Sequence, residues 1–324
     1  MRIAIDDADA LVDGALQRAG FNADEARIIA DQIIGCELRG VAFAGLSRAL
    51  SLIERLRSGP APAPMQVVRE TASSALIDGG DTCGYLVAHR AVEIGIAKAK
   101  ETGVAVVGAC RTYYTGMYVH YLEHATRQGL VAMAAGSSAP RVAPHGAREG
   151  RFGTNPIAFA FPSNDDPVIF DAATSGIPIA EAVLSQRVGR PLQPGLAFDA
   201  DGRETTDPVA ALQGALTVWG GHRGSGLGIV VQLLGILVGG GMMPADYRDC
   251  GFFFMALRPD LFTDAQEFRD NVSRYAACVR AAAPVDPAMP VRMPFDRSAA
   301  TRRRILADGF LDVPDAIVAA LRAV

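Results

Sequence analysis

The 324-residue sequence contains no C-x-x-C pair; its five cysteines, Cys36, Cys83, Cys110, Cys250 and Cys278, are scattered singly. An odd, sparse set argues against a disulfide framework and against a structural zinc site. No block of five like charges occurs, and the formal net charge is only −4, so nothing here suggests nucleic acid or an anionic membrane as a partner. The densest basic run, Arg302-Arg303-Arg304, has apolar flanks at helical spacing and reads as a solvated helix face. No hydrophobic run approaches membrane-spanning length, roughly 18 residues. The most apolar stretch, Leu227 to Val238, predicts a buried helix. The first residues, MRIAIDDADALVDGAL, lack a basic region followed by an apolar run, so no signal peptide is expected and a reducing cytoplasm fits. No G-x-G-x-x-G follows a predicted strand, which removes the Rossmann fingerprint.

What is present suits a large globular protein. Half of the residues are hydrophobic and 20% are charged, enough apolar material to bury a sizeable core. Residues 1–58 read as helices: Asp6 and Asp7 precede one, Asn22 caps a second, and a third runs from Leu46 to Arg57 with Gly59 as its stop. Pro60, Pro62 and Pro64 make a stiff linker. Beyond it, apolar runs at 104–110, 130–136, 156–161, 168–172 and 252–257 predict strands. Helices are expected at 84–101, 117–127, 226–238, 264–282, 299–308 and 314–323. This alternation predicts an α/β domain.

Several segments have chemical potential. Gly221-His222-Arg223-Gly224-Ser225-Gly226 opens a helix, where backbone N–H groups can cradle a phosphate or simply allow close packing. Gly153-Thr154-Asn155-Pro156 is a turn ahead of a strand, and 171–175 is a polar strand end, either a ligand position or a cap. Arg39 and Arg48 lie between helices, where an arginine grips a carboxylate through its planar fork or forms a salt bridge.

Taken in order, these segments resemble the malate/L-lactate dehydrogenase family, nicotinamide-dependent oxidoreductases that include cyclic-imine carboxylate reductases. The resemblance runs through residues 39–48, 111–116, 144–146, 152–156, 171–175, 199–208 and 220–227. It implies a non-Rossmann NAD(P)-binding sheet domain at 71–264. A mainly helical domain would be built from both chain ends, 1–70 and 265–324. It also implies a homodimer, NAD or NADP as cofactor, and a small carboxylate-bearing substrate, either a 2-keto or 2-hydroxy acid or a cyclic imine carboxylate. Arg48, Thr154 and Ala44 would meet substrate, while Tyr114, Thr115, Gly116, Asp171, Ala172, Arg223 and Gly224 would touch the dinucleotide.

The sequence departs from the family at the catalytic pair. Phe43 stands in place of the family's serine and Ala44 in place of its proton-donating histidine. Tyr114 replaces another histidine, and Arg223 a lysine. Alanine has no proton to give, so Tyr114, His145 and His222 are the candidate donors. Three outcomes stay open on the sequence: a reductase with an altered substrate, a non-redox enzyme reusing the pocket, or a binding or assembly protein on the same scaffold.

Overall fold

The computed structural model describes residues 1–245 and 248–324. Three N-terminal helices, α1 (Ile5–Ala19), α2 (Ala23–Leu38) and α3 (Leu46–Ser58), form where the apolar periodicity places them. Asn22 caps α2 in a reciprocal capping box with Glu25, which satisfies two otherwise unpaired donors. The chain's end returns to these helices. Strand β1 (Arg2–Ala4) pairs antiparallel with β11 (Phe310–Asp312), and α11 (Asp315–Arg322) buries Ile317, Val318 and Leu321 in the same core as Leu16, Ile33 and Leu52.

The centre of the molecule is a seven-stranded sheet. Its strands are β2 (Gln66–Glu70), β3 (Ser74–Cys83), β4 (Val104–Tyr113), β5 (Val131–Gly136), β6 (Ile157–Phe161), β7 (Val168–Ala172) and β10 (Cys250–Leu257), in the spatial order β2-β3-β4-β10-β5-β6-β7. Among the described strands of this sheet, only β3 and β4 pair in parallel, joined by helix α4 (Gly84–Thr102); β10 inserts antiparallel between β4 and β5. A doubly wound Rossmann sheet is parallel throughout, so this order excludes it.

The two sheet faces are covered differently. One packs Ile77, Val107, Phe252 and Phe254 against α4 and α5 (Tyr118–Thr126). The other receives α8 (His222–Leu237), through Val231 and Leu234 against Ala135, Ile157 and Phe253. The sequence leads one to expect a buried helix here, and the structure corrects that: Leu233 is 58% and Leu237 73% exposed, beside exposed Val230. The helix is apolar on every side, so its pattern distinguishes no buried stripe from an exposed one. The strands β6 and β7 extend this bare surface through Phe159, Phe161 and Phe170. No helix among the described residues is long and apolar enough to cross a membrane. Between β7 and α8 lie α6 (Ile179–Arg187), the short α7 (Pro208–Gln213) and the two-stranded β8–β9 ribbon (Ala197–Phe198 with Ala215–Leu216). Helices α9 (Ala265–Arg280) and α10 (Asp296–Asp308) follow the sheet; Arg303 of the basic run pairs on the surface with Asp166.

Candidate active site

A cavity of about 200 Å³ opens where the N-terminal helices meet the sheet. Its walls include Phe43, Ala44 and Arg48 on one side, Tyr114, Thr115 and Gly116 on a second, and Thr154, Asp171 and Ala172 on a third. Three segments remote in sequence therefore meet at one apolar hollow with few polar groups, the usual form of a small-molecule site.

Arg48 sits in the first turn of α3 and is buried. Its guanidinium stacks over the Tyr114 ring, 4.6 Å from the centroid, which fixes its plane. Tyr114 itself adopts φ +50, a left-handed conformation that a non-glycine residue holds only where surroundings enforce it. A second arginine, Arg187 on α6, braces the start of α3 by donating to the Ser47 carbonyl and hydroxyl, and it pairs with Glu54 at 2.7 Å. Burial, with Arg48's charge adding to it, pulls the Arg187 guanidinium down from its ordinary value against the opposing pull of Glu54. Arg39, the other arginine of the same loop, does something else: it pairs with Glu123 at 2.6 Å and stacks on Phe295.

The loop that carries Ala44 is held from beneath by Glu37. Its Oε1 accepts the Leu46 N–H at 2.7 Å and so caps α3 from a distance. A Cβ on Gly45 would come within 2.0 Å of that carboxylate oxygen, so residue 45 has no room for a side chain. Burial pushes the Glu37 carboxyl up to about 7, with the Leu46 hydrogen bond opposing. The folded protein therefore binds this proton more tightly than the unfolded chain. The resulting stabilisation is complete below pH 4.5, the ordinary value, and is lost as pH rises through about 7. Glu37→Gln removes this dependence. The stability of wild type relative to the variant should fall by roughly 1–3 kcal/mol between acid and mildly alkaline pH. Urea unfolding across that range checks this, and parallel curves for the two proteins would contradict it.

Asp171, at the end of β7, is both cap and wall: its Oδ2 accepts the Val119 N–H at 2.9 Å at the start of α5. Burial raises its carboxyl to about 6 against the hydrogen bonds from Val119 and Tyr118. Thr154 is fixed by its neighbours, since its carbonyl accepts both the N–H and the hydroxyl of Thr174. Asn155, at φ +37, ties this turn to α8 by donating to the Gly228 carbonyl at 2.8 Å and the Gln232 side chain at 3.0 Å. Gly116, at φ +74, has no space for a Cβ, which would lie 2.5 Å from Gln32 Nε2 and 2.9 Å from Tyr85 Cζ.

The remaining expected residues lie apart from the cavity wall. His145 and His222 face one another with ring centroids 6.3 Å apart, and the His145 N–H donates to Ser225 Oγ. Arg223 is exposed in the first turn of α8. Gly224 presses on the strand end at Thr174: a Cβ there would meet the Trp219 carbonyl oxygen at 1.9 Å and the Thr174 oxygen at 3.4 Å. Ahead of them, Gly220 and Gly221 both take positive φ. The 199–208 segment is a turn built on Asp199 with Asp207 capping α7. Tyr85, Ser137, Ser138 and Cys250 line the cavity and carried no sequence signal of doing so.

Residues 3–322 match the family described as malate/L-lactate dehydrogenase. The chain is 32% identical over 296 residues to the L-sulfolactate dehydrogenase of Methanothermobacter thermautotrophicus, covering 88% of this chain and 87% of that one. It is 36% identical over 247 residues to the Delta(1)-pyrroline-2-carboxylate/Delta(1)-piperideine-2-carboxylate reductase of Pseudomonas putida, covering 74% and 72%. A dehydrogenase structure from Sinorhizobium meliloti superposes with a TM-score of 0.91 at 30% identity, over 100% of this chain and 97% of that one.

Proposed function

Because the chain belongs to the malate/L-lactate dehydrogenase family, and is an oxidoreductase of that fold, we propose that its cavity reduces or oxidises a small carboxylate-bearing substrate with NAD or NADP. The observation that carries this reading is Arg48: a buried guanidinium held flat, the one basic side chain among the described residues that line the cavity, suits one planar anion. The similar proteins act on sulfolactate or on cyclic imine carboxylates, by their names, and both kinds of molecule carry such a group.

The residues fit a dinucleotide. Gly220 and Gly221 at positive φ, the start of the sixteen-residue α8 and the Arg223 charge form a cradle for its phosphates. Gly116, Thr115, Asp171 and Ala172 then border the nicotinamide end. When bound, the nicotinamide supplies or accepts the hydride. The protein's own part is to orient and to dry the site. Arg48 pairs with the substrate carboxylate, Thr154 borders it, and Phe43 with Ala44 excludes water from that wall. The division into 1–70 with 265–324 and 71–264 puts this cavity at a domain junction, since its walls come from both parts.

The assembly we favour is a homodimer. Its support is the bare apolar surface of α8 and the phenylalanines of β6 and β7, since exposed apolar residues gathered on one face mark an interaction surface. A cytoplasmic location is supported by the five cysteines, all free. Isothermal calorimetry with NADH and NADPH should give a saturable isotherm with at least one of them. Heat of dilution alone, with both at millimolar concentration, would defeat the reading.

A further inference from the structure

The cavity contains a donor that no motif assigns. Tyr85 stands in the first turn of α4, fully buried, and lines the same space as Ala44, Arg48 and Gly116. The ring carbon that bears its hydroxyl lies 2.9 Å from where a Cβ on Gly116 would stand, so the hydroxyl end reaches the turn at the cavity wall. Among the described residues that hydroxyl has no hydrogen-bond partner. Its neighbours are satisfied: Tyr118 shares a bond with Thr115 Oγ1 at 3.1 Å, and Tyr121 donates to the Thr115 carbonyl at 2.8 Å. Buried polar groups are nearly always paired, and a phenylalanine would fill the same shape without the cost. An orphaned hydroxyl on the cavity that Ala44 also lines, where the chain has no imidazole, is suited to a partner that arrives with the substrate.

We propose that the Tyr85 hydroxyl hydrogen-bonds the reacting oxygen or nitrogen of the substrate and gives it its proton. This rests on the oxidoreductase reading above. In the reducing direction a C–H bond forms from the hydride of NADH or NADPH, which is oxidised. The π pair of the C=O or neutral C=N bond moves to the heteroatom, which takes the Tyr85 proton. The phenolate so formed regains a proton from solvent. Burial holds the hydroxyl well above the usual phenol range, so it remains a donor at every working pH, and the nearby charge of Arg48 acts in the opposite sense, favouring the transient phenolate. Ala44 and Tyr85 on this view are complementary: the first offers the cavity no donor and the second supplies one from the Gly116 side.

The test is Tyr85→Phe, assayed beside wild type with NADH and NADPH. The substrate is whichever the wild type turns over fastest among pyruvate, oxaloacetate and Δ1-piperideine-2-carboxylate, and thermal unfolding is followed in parallel. The expected result is a kcat lower by about 10²–10⁴-fold with KM within about threefold. Tm should be unchanged or about 1–4 °C higher, because an unsatisfied hydroxyl has been removed. A variant that keeps kcat within about threefold of an active wild type overturns the assignment alone. A Tm that falls by several degrees also overturns it, since the hydroxyl would then have a structural partner. A wild type inert on every substrate with both cofactors overturns this assignment and the oxidoreductase reading together.

Discussion

Arg48→Met should raise KM for the carboxylate substrate by roughly 10–150-fold, the equivalent of about 1.5–3 kcal/mol for a lost charge-assisted contact. The guanidinium is buried in the first turn of α3, and Tyr114 fixes its plane from one side. Methionine keeps much of the side-chain volume but removes every donor, so the substrate's carboxylate would enter an apolar hollow with no counter-charge. That penalty applies to ground and transition states alike, so kcat should fall less than kcat/KM. Arg48→Lys restores the charge without the planar fork or the stacking geometry, and should recover only part of the affinity. Steady-state kinetics on the three proteins decide the point. An unchanged KM in Arg48→Met would show that the carboxylate is held elsewhere.

A second large effect is expected at the uncovered surface. Val230→Asp with Leu233→Glu should convert the proposed dimer into a monomer. Both side chains lie exposed on α8, in a bare apolar area that includes Leu237. A two-fold interface meets each substitution twice, so the pair introduces four charges into a buried apolar contact. Several kcal/mol of desolvation for each uncompensated charge weakens association by far more than 10³-fold. The helix start at Gly224 lies against Thr174, near the cavity, so loss of the dimer should also reduce dinucleotide affinity. Light scattering at micromolar concentration reads the first effect and calorimetry the second. A wild-type protein that runs as a monomer would refute the assembly.

The same helix marks where the sequence stops being informative. The strands at 104–113, 131–136 and 250–257 are legible because continuous apolar runs bounded by glycine or charge have few other uses. The first three helices are legible from caps and periodicity. Strand β2 was not, because Gln66–Glu70 is exposed throughout on the sheet edge and its two apolar residues, Val67 and Val68, are adjacent and make neither an alternation nor a run. Strand β3 was hidden by Gly79, Gly80 and Asp81, where its pairing with β4 shifts register. Helix α8 reads correctly as a helix and wrongly as buried, since an all-apolar sequence suits a core or an interface equally.

The site divides in a similar way. Ala44, Arg48, Tyr114, Thr154 and Asp171 were singled out through the order of short motifs, and they share one cavity. Glu37 and Tyr85 escaped notice because nothing local distinguishes them. A glutamate near a helix end and a tyrosine near a helix start are ordinary until folding buries one beneath Gly45 and leaves the other's hydroxyl without a partner. The two functions of Asp171, capping α5 and walling the cavity, could not be separated by sequence, because a polar side chain at that strand end serves either.

The most direct measurement is the initial rate of nicotinamide oxidation by the purified wild-type protein, with NADH and with NADPH. The substrates are pyruvate, oxaloacetate and Δ1-piperideine-2-carboxylate, each compared with its analogue lacking the carboxylate. The account predicts turnover of at least one of the three with at least one cofactor, and a loss of most of kcat/KM when the carboxylate is absent. Equal turnover with and without the carboxylate, or no turnover of any of them, would contradict it.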